Sequence, residues 1–199
     1  VNLSSANIIG QLDLQHSRLE RGVDKEAGAQ WALIAQGVKV GQDLFLRNAY
    51  SKGPISLSGA RIGGQLSCRD ARIDASNPED QESQTSLQAQ GIEVGESVTL
   101  GAAVFTGTVD LTGASISGQL DFEAASLDGC KDTDDVERAA LSAQRLRVAQ
   151  GFFFGKIKIE QGVVDLTAAH VGDLVDDMGS WPDAQDRLIL DGFTYDRID

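Results

Sequence analysis

The sequence predicts an all-β protein, a right-handed parallel β-helix with four sides, and three observations carry that expectation. Gly10, Gly64, Gly118 and Gly172 stand 54 residues apart, and so do Leu33, Leu87 and Leu141. A fixed period of this length marks a stacked, solenoid-like architecture. The surrounding text recurs as well: VNLSSANIIGQLDL from Val1, ISLSGARIGGQLSC from Ile55, VDLTGASISGQLDF from Val109, and a degenerate VDLTAAHVGDL from Val164. Inside the repeat lies a finer period. Val109/Leu111, Ala114/Ile116, Leu120/Phe122 and Ala125/Leu127 are small or apolar at i and i+2, and their starts fall 5, 6 and 5 residues apart. Residues i and i+2 of a strand share a face, so four short strands, each followed by a corner, close in 22 residues.

The same register can be followed along the chain. Ile55/Leu57, Ala60/Ile62, Leu66/Cys68 and Ala71/Ile73 make one coil; Leu87/Ala89, Ile92/Val94, Val98/Leu100 and Ala103/Phe105 make another. Leu141/Ala143, Leu146/Val148, Phe152/Phe154 and Ile157/Ile159 make a third. Coils start near Val1, Leu33, Ile55, Leu87, Val109, Leu141 and Val164, with an eighth opening at Leu188. The 54-residue repeat is thus two 22-residue coils plus an excursion of about ten residues. The spacing gives modules at 1–32, 33–86, 87–140 and 141–187 within one solenoid over 1–199, and 188–199 begins a further coil or a C-terminal cap. The segments lack the i, i+3, i+4, i+7 spacing of an amphipathic helix, and the 5–6 alternation is not the hexapeptide run of a left-handed β-helix. Parallel crossovers are right-handed in nearly all cases. At about 4.8 Å per coil the rod is on the order of 35 Å long.

Composition narrows the function classes. Seventeen Lys and Arg against 30 Asp and Glu leave a formal net charge of −13. That disfavours direct binding to nucleic acid or to an anionic membrane, both of which reward cations, and it suits a soluble rod with many outward positions. No apolar run is long enough to cross a membrane within this chain. Val1 already lies in a coil pattern, so the chain reads as a fragment of a longer protein. Two cysteines build no disulfide framework, and a reducing cytoplasm is the expected compartment. Cys68 takes the inward slot held by Leu14 and Phe122 in sister coils, while Cys130 lies at a coil exit.

No residue set points to catalysis, a cofactor or a metal. SGARIGGQ at Ser58 and TGASISGQ at Thr112 resemble nucleotide loops superficially. However, Gly59, Gly63 and Gly64 do not form G-x-G-x-x-G between a strand and a helix, and their repetition marks corners instead. Gln11, Gln65 and Gln119 with Asp173, and Gln36, Gln90 and Gln144, are placed for outward amide ladders, broken where the coil type alternates. Ser4, Ser58, Thr112 and Thr167 recur on the outside in the same way. His16 and His170 stand alone, without ligand spacing or a nucleophile–acid set; His170 is expected to face out between Ala169 and Val171.

The excursions are the least repetitive parts, and function gathers on loops carried by a rigid scaffold. Asn77–Ser83 and Lys131–Arg138 are acidic, and Asp24–Trp31 is mixed and ends in an aromatic. Leaving the rod at one coil position, they should line one side. Asp132, Asp134 and Asp135 form a sparse calcium-like run without the Gly and terminal Glu of an EF-hand. Trp181, Phe193 and Tyr195 bring bulk to the C-terminal end, where an open β-helix needs a cap.

The inward pattern resembles a stretched form of the pentapeptide-repeat proteins, which build a square right-handed β-helix, without their strict A-(D/N)-L-x-x signature. The stretches GARIGGQL at Gly59 and LDGFTYDRI from Leu190 are closer to a largely actinobacterial group of β-helical repeat proteins often labelled membrane-associated oxidoreductases. That resemblance covers nearly the whole chain. It implies redox activity, and further helical, hydrophobic sequence outside this stretch that would bring the full-length protein to a membrane. It transfers no catalytic or cofactor residue, because the matching motifs are corners and core positions. The expectation is a non-catalytic scaffold that presents loops to a protein partner. An acidic rod imitating DNA toward a topoisomerase, and an oxidoreductase, stand as the alternatives. Open coil ends also leave room for end-to-end homo-oligomers.

Overall fold

A computed structural model of the 199-residue chain describes residues 1–22, 31–76, 85–129, 138–183 and 185–198. Among these, short parallel strands stack into a four-sided parallel β-helix of eight coils. The second coil shows the plan: Leu33–Ile34, Lys39–Val40, Leu44–Phe45 and Tyr50–Lys52 supply its four faces in order. The first face aligns Leu33, Ile55, Leu87, Val109, Leu141, Val164 and Leu188, with steps of 22, 32, 22, 32, 23 and 24 residues. The alternation of 22 and 32 is the predicted pair of coils with an insertion in every second one. Leu188–Ile189 and Thr194–Ile198 complete an eighth coil, which settles the choice between further coil and cap. In the sixth and seventh coils the second and third faces run together, as the continuous strands Arg147–Phe154 and His170–Asp176.

The coils hold one another through backbone hydrogen bonds. Leu57 N–H donates to Gln88 O at 2.7 Å and Leu111 N–H to Ser142 O at 2.7 Å; within a coil the bonds close turns, as from Ala60 N–H to Leu57 O at 3.0 Å. The inward pairs read from the sequence fill the interior, with Val109, Leu111, Ala114, Phe122, Ala125 and Leu127 fully buried. Ile159 is the exception and lies only half in, where the register against Leu127 and Asp128 shifts by one residue. Phe122, Phe152 and Phe154 pack with centroids 5.3–6.2 Å apart. Trp181 stacks on Phe154 at 4.5 Å and donates its indole N–H to Asp176, so it covers the core from the side. Phe193 and Tyr195 instead occupy the coil positions of the last turn. The Cys68 thiol is fully buried, and burial pushes its pKa up to about 12, which keeps it an inert thiol.

Two kinds of corner impose the sequence pattern. Between the third and fourth faces one residue per coil is left-handed, and it is never glycine: His16, Asn48, Asp70, Ala102, Ala124 and Lys156 have φ of 54–58°. Between the second and third faces the chain passes so close to the preceding coil that a Cβ on Gly63 would sit 2.4 Å from the Gly41 carbonyl oxygen. Exposed glutamines do not ladder with one another among the described residues. Gln90 and Gln144 donate instead to Asp110 and Asp165 of the next coil, because the alternating coil types place a carboxylate, not an amide, within reach.

Ala124→Gly should raise stability by about 0.5–1 kcal/mol, since the left-handed conformation costs an L-residue more than glycine's extra chain entropy. Gly63→Ala should lower it by about 3 kcal/mol or more, as backbone must move. Urea midpoints of the two variants check both signs.

Candidate functional site: an insertion edge and a groove on the second face

The edge between the fourth and first faces is where alternate coils differ. In the second, fourth and sixth coils it is closed by Gly53, Gly107 and Gly162, with φ of 140°, 112° and 96°. Side-chain hydroxyls, rare in the interior, serve these corners. Ser51 donates to Gly53 O at 2.8 Å, Ser86 to Gly107 O at 2.9 Å, and Thr108 to Ala139 O at 2.6 Å. In the first, third and fifth coils the chain leaves at this edge, after the fourth-face strands Arg18–Glu20, Arg72–Asp74 and Ser126–Asp128. These three strands share one sheet, separated by Tyr50–Lys52 and Val104–Thr106. The exits are braced: Gly22 N–H donates to Trp31 O at 3.3 Å, and Arg21 crosses Gly53 to donate to the carbonyls of Ala75 and Ser76, each at 2.8 Å. The common exit expected for the excursions is therefore present in the residues that flank them. Residues 23–30, 77–84 and 130–137 themselves, with Cys130 and the acidic run Asp132–Asp135, lie outside the described residues.

Charge divides along the same line. The three insertion segments hold nine acidic and two basic residues, so −7 of the net −13 falls on 24 residues. Much of the remaining acid has a structural task. Asp13, Asp74, Asp110, Asp121, Asp165 and Asp177 each accept the backbone N–H two residues ahead, at 2.7–3.0 Å, closing a corner. Asp43 reaches across to the next coil and caps Gln65 N–H at 2.9 Å. Cations interleave with these carboxylates. Arg69 reaches Asp121 two coils away at 3.3 Å, over Gly101, whose missing side chain leaves the path open.

The second face is different. Its outward column runs Asn7, Lys39, Arg61, Glu93, Ser115, Arg147, His170 and Thr194, with a single carboxylate, and Glu93 is bonded to Arg61 at 3.0 Å. Hollows of about 820 and 380 Å³ lie along this face and share Ser115 and Ser117. At its C-terminal end His170, exposed between buried Ala169 and Val171 as expected, approaches Thr194 Oγ1 at 3.0 Å through Nδ1 and Asp196 at 3.9 Å through Nε2. This is a nucleophile–base–acid order that the sequence reading missed, because a 24-residue coil step, not adjacency, brings the three together. It stands open to solvent, without the water-excluding walls that catalysis by such a set requires.

His16 is exposed on a left-handed corner. No group of three or more His, Cys, Asp or Glu among the described residues is placed to hold a metal ion. No helix among them is long and apolar enough to cross a membrane. The chain matches no protein-family model, and no curated protein is similar to it.

The corner carboxylates give the fold a defined acid limit. Backbone N–H donation from Gln15 to Asp13 and from Lys156 to Asp177 holds both carboxyls below their ordinary range. At Asp165 burial pushes the other way, and hydrogen bonds from Gln144 and Thr167 outweigh it. Folded pKa values depressed in this way stabilise the protein above the unfolded carboxylate pKa, and the benefit is lost as pH falls through the folded values. Stability should therefore be flat above about pH 5 and decline from roughly pH 4 downwards. Asp165→Asn, which keeps an acceptor but does not titrate, should flatten that decline in urea melts at stepped pH.

Proposed function

We propose that this chain is a non-catalytic scaffold, a rigid β-helical rod that holds three insertions in line for a protein partner. The observation that carries the reading is the strict alternation along one edge. Every second coil closes that corner with a strained glycine, while its neighbours open the corner to an insertion of similar length. Nothing in the stacking of the core calls for the added residues, since coils two and four manage without them. Two coil steps of about 4.8 Å separate successive exits, so three stations fall on a line about 19 Å long. Most of the chain's excess negative charge belongs to them.

Mimicry of DNA would need a continuous acidic stripe on the rod, whereas the described columns mix acids, cations and corner-capping aspartates. The oxidoreductase activity implied by the resemblance would need a recess with convergent titratable groups. The second-face groove offers one ion pair and an exposed histidine. Membrane proximity of a longer form, a cytoplasmic setting and end-to-end assembly remain parts of the proposal that the scaffold reading does not depend on.

Replacing 129–140 by Gly-Thr joins Asp128 to Leu141 with the corner that Gly107 and Thr108 use one coil earlier. Corresponding replacements serve the other two insertions. Each shortened rod should unfold within about 1 kcal/mol of the parent, since surface segments of this size add little closure entropy. Proteins cross-linked by the parent should be lost from the triply shortened rod. Collapse of the rods would make the insertions structural, and unchanged partners would remove them from the interface. A saturable rise in Tm with NAD(P)H or flavin would overturn the non-catalytic reading.

A further inference from the structure

The second face carries a feature that the scaffold reading leaves unused. In a chain of net charge −13 it is a groove of opposite character, with Lys39, Arg61 and Arg147 against Glu93 alone. Arg61 and Glu93 satisfy each other. Lys39 and Arg147 have no carboxylate within salt-bridge distance among the described residues, although both point out from the sheet. Beyond Arg147, His170 is turned toward Thr194 and Asp196 and closes that end of the groove.

The border toward the third face is low. Gly41, Gly63 and Gly95 follow one another there, each packed on the carbonyl of the preceding coil, so no side chain stands between a ligand and the sheet. At the N-terminal end of this border Ile9 is 88% exposed. The two connected hollows span the first to the seventh coil, six steps of about 4.8 Å or roughly 29 Å. An extended peptide of about nine residues has that length at 3.3 Å per residue.

We propose that this groove binds an extended acidic peptide segment of a partner protein, lying along the rod axis with carboxylates at Lys39 and Arg147 and an apolar side chain at Ile9. The groove's charge is complementary to such a segment, and complementarity of this kind sets orientation and encounter rate. A nucleic-acid strand is the poorer fit, since none of the lining residues is aromatic and single strands are held by stacking platforms as well as cations. The low border admits a peptide backbone closely, and Ile9 has no counterpart in a polyphosphate chain.

The test is fluorescence anisotropy with a fluorescein-labelled peptide of alternating glutamate and valine, about nine residues long. The parent should bind it in a manner that weakens with salt. Lys39→Glu together with Arg147→Glu should cut affinity about tenfold or more, with far-UV CD and Tm unchanged. Lys158→Glu, a charge reversal on the fourth face, should leave binding as it is. No binding, or equal loss with Lys158→Glu, overturns the proposal. So does tighter binding of an oligothymidylate or a sulfated glycan than of the peptide. A lysine-for-glutamate version of the peptide that binds equally well also sinks it. Because the insertions lie on another edge, the triply shortened rod should keep this binding, which separates failure of this site from failure of the scaffold reading.

Discussion

Each coil of this protein is completed by its neighbours. A two-residue strand has no partner within its own turn, so nearly all its backbone groups bond to the coil above or below, and the rod exists only if every coil keeps one register. That condition explains why the interior is so uniform. A slip of one residue turns an inward pair outward, so the i and i+2 positions are apolar or small through eight turns. It also explains why length changes are confined to corners. The insertions leave at one edge, and even the irregular steps of 23 and 24 residues near the C-terminal end return Val164 and Leu188 to the same column.

The corners carry the cost of that regularity. Four sharp turns per coil leave backbone N–H groups without strand partners, and buried ones must be met. Short polar side chains meet them: aspartates two residues back on the outside, serine and threonine hydroxyls at the fourth corner. A large part of the acidity follows from this requirement, and it needs no anionic function to account for it. The rest, concentrated in the insertions, is a separate matter of surface chemistry.

Most of the fold could be read from the sequence because the repeat states it several times over. Leu66 and Cys68, or Val98 and Leu100, are ambiguous as isolated pairs but not as the third pair of a recurring set. The coil count, the inward faces, the outward His170 and the common exit of the insertions came from that redundancy. What was not legible depends on which residues of different coils meet. The Gln90–Asp110 and Gln144–Asp165 contacts, the reach of Arg69 over Gly101, and the Thr194–His170–Asp196 order all cross between turns whose side-chain directions a period cannot give. The second-face groove was hidden for the same reason. Lys39, Arg61 and Arg147 are 22 and 86 residues apart, and only the coil registers place them in one column.

The alternation of plain and inserted coils also has a mechanical reading. Two adjacent coils both opened at the fourth corner would leave their exits about 4.8 Å apart, too close for two chains entering and two leaving. A closed coil between them doubles the spacing and supplies a fixed floor, as Gly53 does beneath Arg21. The closed coil must then turn with no side chain in the way, which is why its corner residue is glycine at Gly53, Gly107 and Gly162. A 54-residue unit, rather than one of 22 or 32, is thus the smallest repeat that stacks indefinitely while carrying a surface segment at regular intervals. The period that first reveals the fold is set by the spacing its insertions require.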